Sequence, residues 1–164
     1  MLSIRNATAA DADLMLNFIR RLAEYEREPD AVVATEADLL RDGFGPDPKY
    51  RCVLAEWDNV AAGFAFFFYN YSTWRGQPGI YLEDLFVMPE MRGKGIGKAL
   101  LKHLAEIAVR ENCYGIRWMV LEWNDPALKF YESLGAEILG EWETMLIRGA
   151  ALEELAGLAA KVEK

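Results

Sequence analysis

The segment RGKGIG, residues 92–97, separates an apolar run from an amphipathic one. Gly93, Gly95 and Gly97 make it a poor helix or strand interior. The run before it, residues 81–87, reads as a strand, apolar at both ends with Glu83 and Asp84 in the middle. After it, Leu100, Leu101, Leu104, Ile107 and Ala108 recur at helical spacing over residues 98–111. Residues 116–121 read as the next strand. Strand, glycine turn, helix, strand is a right-handed crossover between two parallel neighbours. An α/β fold therefore forms around this turn.

The flanking segments predict a mixed sheet. Residues 3–6 form a short strand. Thr8 caps a helix that carries Leu14, Phe18, Leu22 and Tyr25 and ends at Pro29 and Asp30. A second helix opens at Thr35 and stops near Gly43, and residues 43–48 form a loop. Strands at 52–57 and 61–71 flank a tight Asp58-Asn59 turn. Residues 71–79 read as a loop. Asn124 followed by Pro126 opens another helix, holding Phe130 and Tyr131 and ending before Gly135. Residues 138–142 and 144–148 look like a closing pair of strands, and 151–162 like a terminal helix.

The 164 residues are 52% hydrophobic, which suits one domain over 1–164. No apolar run is long enough to span a membrane, and no signal peptide is visible. Cys52 and Cys113 lack metal-ligand spacing and read as reduced thiols of a cytoplasmic protein. A single histidine, His103, argues against a zinc site or a Ser-His-Asp triad, and no metal is expected. The net charge of -8 argues against nucleic acid as a partner and is compatible with a small cationic one.

A glycine turn entering a helix presents bare N–H groups to an anion such as a phosphate, and Arg92 and Lys94 add charge. Two nucleotide motifs do not fit. Ala99 follows Gly97-Lys98 where a P-loop needs Ser or Thr, and Arg92 stands where its first glycine belongs. The third glycine comes one place too early for a dinucleotide fingerprint. The pattern Arg92-x-x-Gly95-x-Gly97 instead resembles the acetyl-CoA signature of the GCN5-related N-acetyltransferases. YLEDLFVMPEMRGKGIGKALL and WNDPALKFYESLGA resemble the two central blocks of that family. AEYE at Tyr25 and DGFG at Asp42 are similar to its spermidine/spermine and thialysine branch.

That resemblance implies a fold and a set of roles. The sheet would be mixed, mostly antiparallel and twisted, with a central parallel pair splayed around the coenzyme arm and helices on both faces. Acetyl-CoA would be the cosubstrate, with its diphosphate on Gly93, Lys94, Gly95, Ile96, Gly97 and Lys98 beside Arg92. Leu85, Phe86 and Val87 would contact the pantetheine arm, and a backbone N–H near Phe86 or Val87 would polarise the thioester carbonyl. Asn124 would touch the pantetheine or cap its helix, with Ala127 nearby. Glu83 would accept the proton of the incoming ammonium through water. Tyr131 would return a proton to the thiolate, since a phenol of ordinary pKa about 10 is protonated at neutral pH. Packing against Phe130 is the competing role for Tyr131.

Tyr25, Glu26, Trp74, Asp84 and Glu141 or Trp142 would bind the acceptor through cation–π and charge attraction. Glu83 and Asp84 are adjacent in a strand, so both reach one cleft only if a bulge intervenes. Polyamine enzymes of the branch carry an acidic residue two places before the loop tryptophan. Ser72 stands there in this chain, which favours a shorter amine or a lysine-like amino acid. The resemblance also implies a homodimer. A protein or peptide acceptor, and a non-catalytic acyl-CoA-binding module, stay open as alternatives.

Overall fold

The computed structural model describes residues 1–157. The chain divides into two compact units, Met1–Leu121 and Glu122–Lys164. The first holds a five-stranded sheet: β1 (Leu2–Asn6), β2 (Arg51–Trp57), β3 (Val60–Ser72), β4 (Gln77–Val87) and β5 (Ile116–Arg117), adjacent in that order. The first three pairings are antiparallel. β4 and β5 form the expected parallel pair, joined by α3 (Ile96–Arg110). α1 (Ala12–Tyr25) and α2 (Glu36–Phe44) lie between β1 and β2 in the chain.

Alternation along the strands divides the core into two faces. Leu54, Phe64 and Phe86 stand opposite one another across the ladders. They pack with Met15 and Phe18 of α1 and Leu39 of α2. Phe18 stacks on Phe64 with centroids 5.4 Å apart. Val53, Ala55 and Ala65 alternate with that set and are fully buried. α3 contacts β1 through β4 and buries Leu100, Leu101, Leu104, Ile107 and Ala108, the inner face read from its spacing. Helices thus cover both faces of a mixed sheet, as expected.

Local chemistry sets the ends of the elements. Asp11 accepts from the Thr8 backbone N–H at 2.8 Å, and Thr35 and Asp38 cap α2 reciprocally. Arg5 joins Asp11 to Glu56, at 2.8 and 2.7 Å, tying β1 to the start of the first helical segment and to β2. Asp58 and Asn59 both take positive φ, the signature of a tight hairpin turn that matches strand twist.

Several expected elements differ. α1 ends at Tyr25, and Pro29–Ala31 forms its own 3₁₀ turn. The loop expected at 71–79 shrinks to residues 73–76, because Gly76 at φ 63° closes a tight turn and Gln77 pairs at once with Ser72. α3 starts at Ile96, two residues early, because Gly95 at φ 78° serves as its N-cap. β5 is only Ile116–Arg117, not 116–121, so the parallel pair stands at the sheet's edge rather than at its centre.

In the second unit, α4 (Asp125–Glu132) follows Asn124, whose side chain accepts from the Ala127 N–H at 3.3 Å. Gly135 at φ 88° follows its end. The two closing strands expected at 138–142 and 144–148 do not form. Alternating apolar residues there match a strand, but a strand needs a hydrogen-bonded neighbour, and Ile138, Trp142, Met145 and Leu146 stay exposed. α5 (Ala150–Leu155) lies at the start of the expected terminal helix but ends there, with Ala156 as its C-cap and Gly157 at φ 71°. The rest of that expectation, from residue 158 on, lies outside the described residues.

Candidate active site

The β3–β4 ladder carries the feature that joins the two central carboxylates. Phe66 pairs with Asp84, and the next residue, Phe67, pairs with Leu82. Glu83 is the extra residue of a β-bulge. A bulge breaks strict alternation, so adjacent residues can turn toward the same face. Asp84 shares the face of Cys52 and Phe66, the α1 side of the sheet. Burial, then the charges of Glu83 and Glu26, push its carboxyl up to about 7. Three carboxylates from β4 and the end of α1 therefore feel one another. Glu26 caps α1, is half-buried, and burial raises its pKa as well. Glu83 is exposed. A cation placed here would relieve mutual repulsion among the three.

Next to the bulge, β4 leaves one edge open. Among the described residues β5 pairs with it only at Ile80 and Tyr81. Met88 donates its N–H to Ala62 on β3, and the Phe86 carbonyl faces Gly63. By alternation, Leu85 and Val87 turn their backbone groups outward to the unpaired side, where the Val87 carbonyl accepts from Arg92 Nε at 3.1 Å. An extended polar ligand can add there as a strand does.

Beyond Val87 the chain makes a 3₁₀ turn, Pro89–Met91, and enters the glycine segment. Gly93 and Gly95 sit at φ 77° and 78°, a left-handed conformation that disfavours any residue with a Cβ. Open space lies around both positions. α3 has no side-chain cap and no acidic residue in its first turn. The free N–H groups of Ile96, Gly97 and Lys98 thus face an exposed rim with Arg92 and Lys94. These backbone groups fit a diphosphate: bare donors and a positive dipole end, with no acidic residue in the first turn of α3.

The other expected residues fall in different places. Tyr25 ends α1 under the Arg92 guanidinium. Trp74 is 88% exposed at the tip of the β3–β4 hairpin. From Gln77 to Glu83 the strand rises roughly 20 Å, so Trp74 and Glu83 do not meet within this unit. Asn124 is buried and takes the capping role of the two foreseen. Tyr131 stands on α4 with its ring 5.2 Å from Phe130. Glu141 and Trp142 are exposed, with no strand around them.

Two features were not foreseen: the raised carboxyl of Asp84 and the lateral stack of Arg92 on Tyr25. A strand reading with two adjacent acids hinted at the first. Nothing in the spacing signalled the second. A separate cavity of about 440 Å³ lies among Asn6, Phe44, Tyr50, Cys52 and Phe68. Its rim cations are already matched, Lys49 by Asp47 and Arg51 by Glu111. None of the expected site residues lines it.

Comparison with known proteins agrees with this geometry. The model of the acetyltransferase (GNAT) family matches residues 15–136. The thialysine N-epsilon-acetyltransferase of Bos taurus is 41% identical over 94% of this chain and 96% of its own. The human spermidine/spermine N(1)-acetyltransferase-like protein 1 is 37% identical over 95% of this chain but 23% of its own. Among solved structures, an integron cassette protein from V. cholerae superposes with a TM-score of 0.79 at 30% identity, over 94% of this chain and 97% of that one. With the bulge, the open strand edge and the glycine-capped helix in one compact unit, and relatives matched along nearly the whole length, the chain belongs to the acetyltransferase (GNAT) family.

Proposed function

We propose that this acetyltransferase moves an acetyl group from acetyl-CoA to the primary amine of a small cationic acceptor by direct attack. The acceptor class is a thialysine- or lysine-like amino acid or a di- or polyamine. One observation carries the acceptor class: the bulge at Glu83 gathers Glu83, Asp84 and Glu26 beside the open edge of β4. A site walled by three carboxylates selects an ammonium. The similar proteins named for thialysine and spermidine/spermine support the same class.

Acetyl-CoA, when bound, supplies a thioester whose carbonyl carbon the amine attacks while the thiolate leaves. The residues of this chain do the rest. Gly93 to Lys98 hold the diphosphate through backbone N–H groups. Leu85 and Val87 align the pantetheine arm, and the Val87 N–H polarises the carbonyl oxygen without reorganising. Glu83 takes the ammonium proton through water, because only the free amine is a nucleophile. Asp84 and Glu26 hold the remaining positive charge, with Tyr25 as an aromatic wall. Tyr131 donates a proton to the departing thiolate.

Ser72, in place of an acidic residue, favours the shorter acceptors. The whole chain, 1–164, acts as one N-acetyltransferase domain, a reading supported by a family match that runs from the first compact unit into the second, over residues 15–136. The free thiols Cys52 and Cys113 support a cytoplasmic setting. The exposed rings of Tyr71 and Trp74 support a surface covered in a homodimer.

Steady-state assays with thialysine, lysine and spermidine test the proposal. Thialysine is expected to give the highest kcat/KM. No release of CoA with any of the three would overturn it. The exposure of Trp74 favours a second reading, in which a peptide N-terminus or lysine side chain is the acceptor. An acetyl mass shift on a peptide, with none on the free amines, would select that reading.

A further inference from the structure

Arg92 opens the glycine segment, where a cation is expected to lie against phosphate. Its side chain points elsewhere. Nε donates to the Val87 carbonyl at 3.1 Å. The guanidinium carbon lies 4.7 Å from the centroid of the Tyr25 ring and 5.8 Å from that of Phe86. Tyr25 is the last residue of α1 and Glu26 its cap, while Phe86 and Val87 end β4. One cation thus bridges the C-terminus of α1 to the open end of β4.

Three forces favour that position. A hydrogen bond from a charged donor is stronger than a neutral one. Ring faces attract a guanidinium. The last carbonyls of α1 carry partial negative charge, which favours a cation in its final turn. Reaching out to a diphosphate would give up all three. The cradle has another cation for that purpose, since Lys98 is also exposed on its rim, while Lys94 Nζ lies 5.4 Å from the centroid of the Trp57 ring.

We propose that Arg92 is a positioning residue of the acceptor wall: its guanidinium, tethered to Val87, clamps the Tyr25–Glu26 end of α1 against β4, and its side chain does not carry the diphosphate. The proposal rests on the acceptor site described under Proposed function. Removing the clamp lets the wall drift from Asp84 and Glu83. Amine recognition then suffers, while the backbone N–H groups that grip the coenzyme stay in place. Lysine cannot replace arginine here, because a single ammonium does not provide a planar fork that stacks on a ring while donating to a carbonyl.

The test measures Arg92→Ala and Arg92→Lys by two readouts besides turnover. Calorimetry gives the acetyl-CoA Kd, and hydrogen exchange reports the amides of residues 22–28. Both variants are expected to raise the thialysine KM at least five-fold, to leave the acetyl-CoA Kd within two-fold, and to speed exchange at 22–28. In a Tyr25→Leu background Arg92→Ala should add less than two-fold to KM; in a Tyr25→Phe background, where the ring remains, it should keep its full effect. A coenzyme Kd raised five-fold or more with unchanged KM and exchange would overturn the proposal and return Arg92 to the phosphate. Unchanged exchange at 22–28 alone would also overturn it. If the wild-type protein acetylates no amine, the acceptor reading fails separately, and the exchange and Kd measurements still decide the clamp.

Discussion

Asp84 stands directly opposite Phe66 across the β3–β4 ladder, and Glu83, the residue before it, has no partner of its own. That single slip in register brings together two acidic residues that an unbroken strand would point apart. Their exposures differ, Asp84 half-buried and Glu83 exposed, so their roles separate. Glu83→Gln is expected to lower kcat/KM for the amine by about 10²-fold, the usual size of a lost general base. Asp84→Asn should act mainly through a raised amine KM. Steady-state kinetics on both variants check the division.

Stability should respond to pH in opposite directions at Asp84 and Asp11. The carboxyl of Asp84 is raised from 3.8 to about 7, so the folded chain holds its proton more tightly than the unfolded chain does. Its ionisation therefore costs stability as pH rises from about 4 to 7. Asp84→Asn should gain on the wild type through that window and stay ahead above it. Asp11 is held below the usual carboxylate range by its hydrogen bond with Arg5. It stabilises the fold above the ordinary carboxylate pKa, and that share is lost as pH falls through its own lowered value. Asp11→Asn should cost about 2 kcal/mol at pH 7, with the gap closing in acid. Denaturant midpoints across pH 4 to 8 measure the first, and their extension from pH 4 downwards measures the second.

Gly95→Ala tests the cradle. The backbone at φ 78° has open space around it, so the penalty comes from conformation rather than a clash. A left-handed L-residue costs about 1–2 kcal/mol. Acetyl-CoA affinity should fall several-fold by calorimetry, with Gly95→Asn milder because asparagine tolerates this region.

Gly63→Ala strikes the same site from behind. A methyl at Gly63 would press on the Phe86 carbonyl oxygen, which is backbone and cannot rotate away. β4 must shift, and the Leu85–Val87 edge shifts with it. Both the melting temperature and the acetyl-CoA affinity should drop, here from a backbone clash rather than from the strained φ that Gly95→Ala introduces.

Tyr131→Phe should lower turnover about 10²-fold and leave the acetyl-CoA Kd nearly unchanged, because only the proton donor is removed. Turnover equal to the wild type would make Tyr131 a packing residue beside Phe130.

The parts legible in the sequence were those fixed by local chemistry. Capping at Thr35 and Asn124, the Asp58-Asn59 turn and the buried face of α3 each depend on a few neighbouring residues. The glycine segment was legible for the same reason. Pairing was harder to read. Apolar alternation over 138–148 imitates a strand, and only the missing ladder shows that it is not one. The bulge at Glu83 depends on which residues of β3 oppose β4, so it entered the reading only as a condition. The Arg92–Tyr25 contact joins positions far apart in the chain, and composition holds no trace of it.

β5 stops at Arg117, and among the described residues no strand pairs with the far side of β4 from Leu82 to Val87, where Arg92 takes only the Val87 carbonyl. Bare strand edges invite other chains to zip onto them. An edge that takes acetyl-CoA, as proposed, would carry a built-in tendency to clump when that molecule runs short. Storage with its ligand should preserve this chain in solution longer than buffer alone.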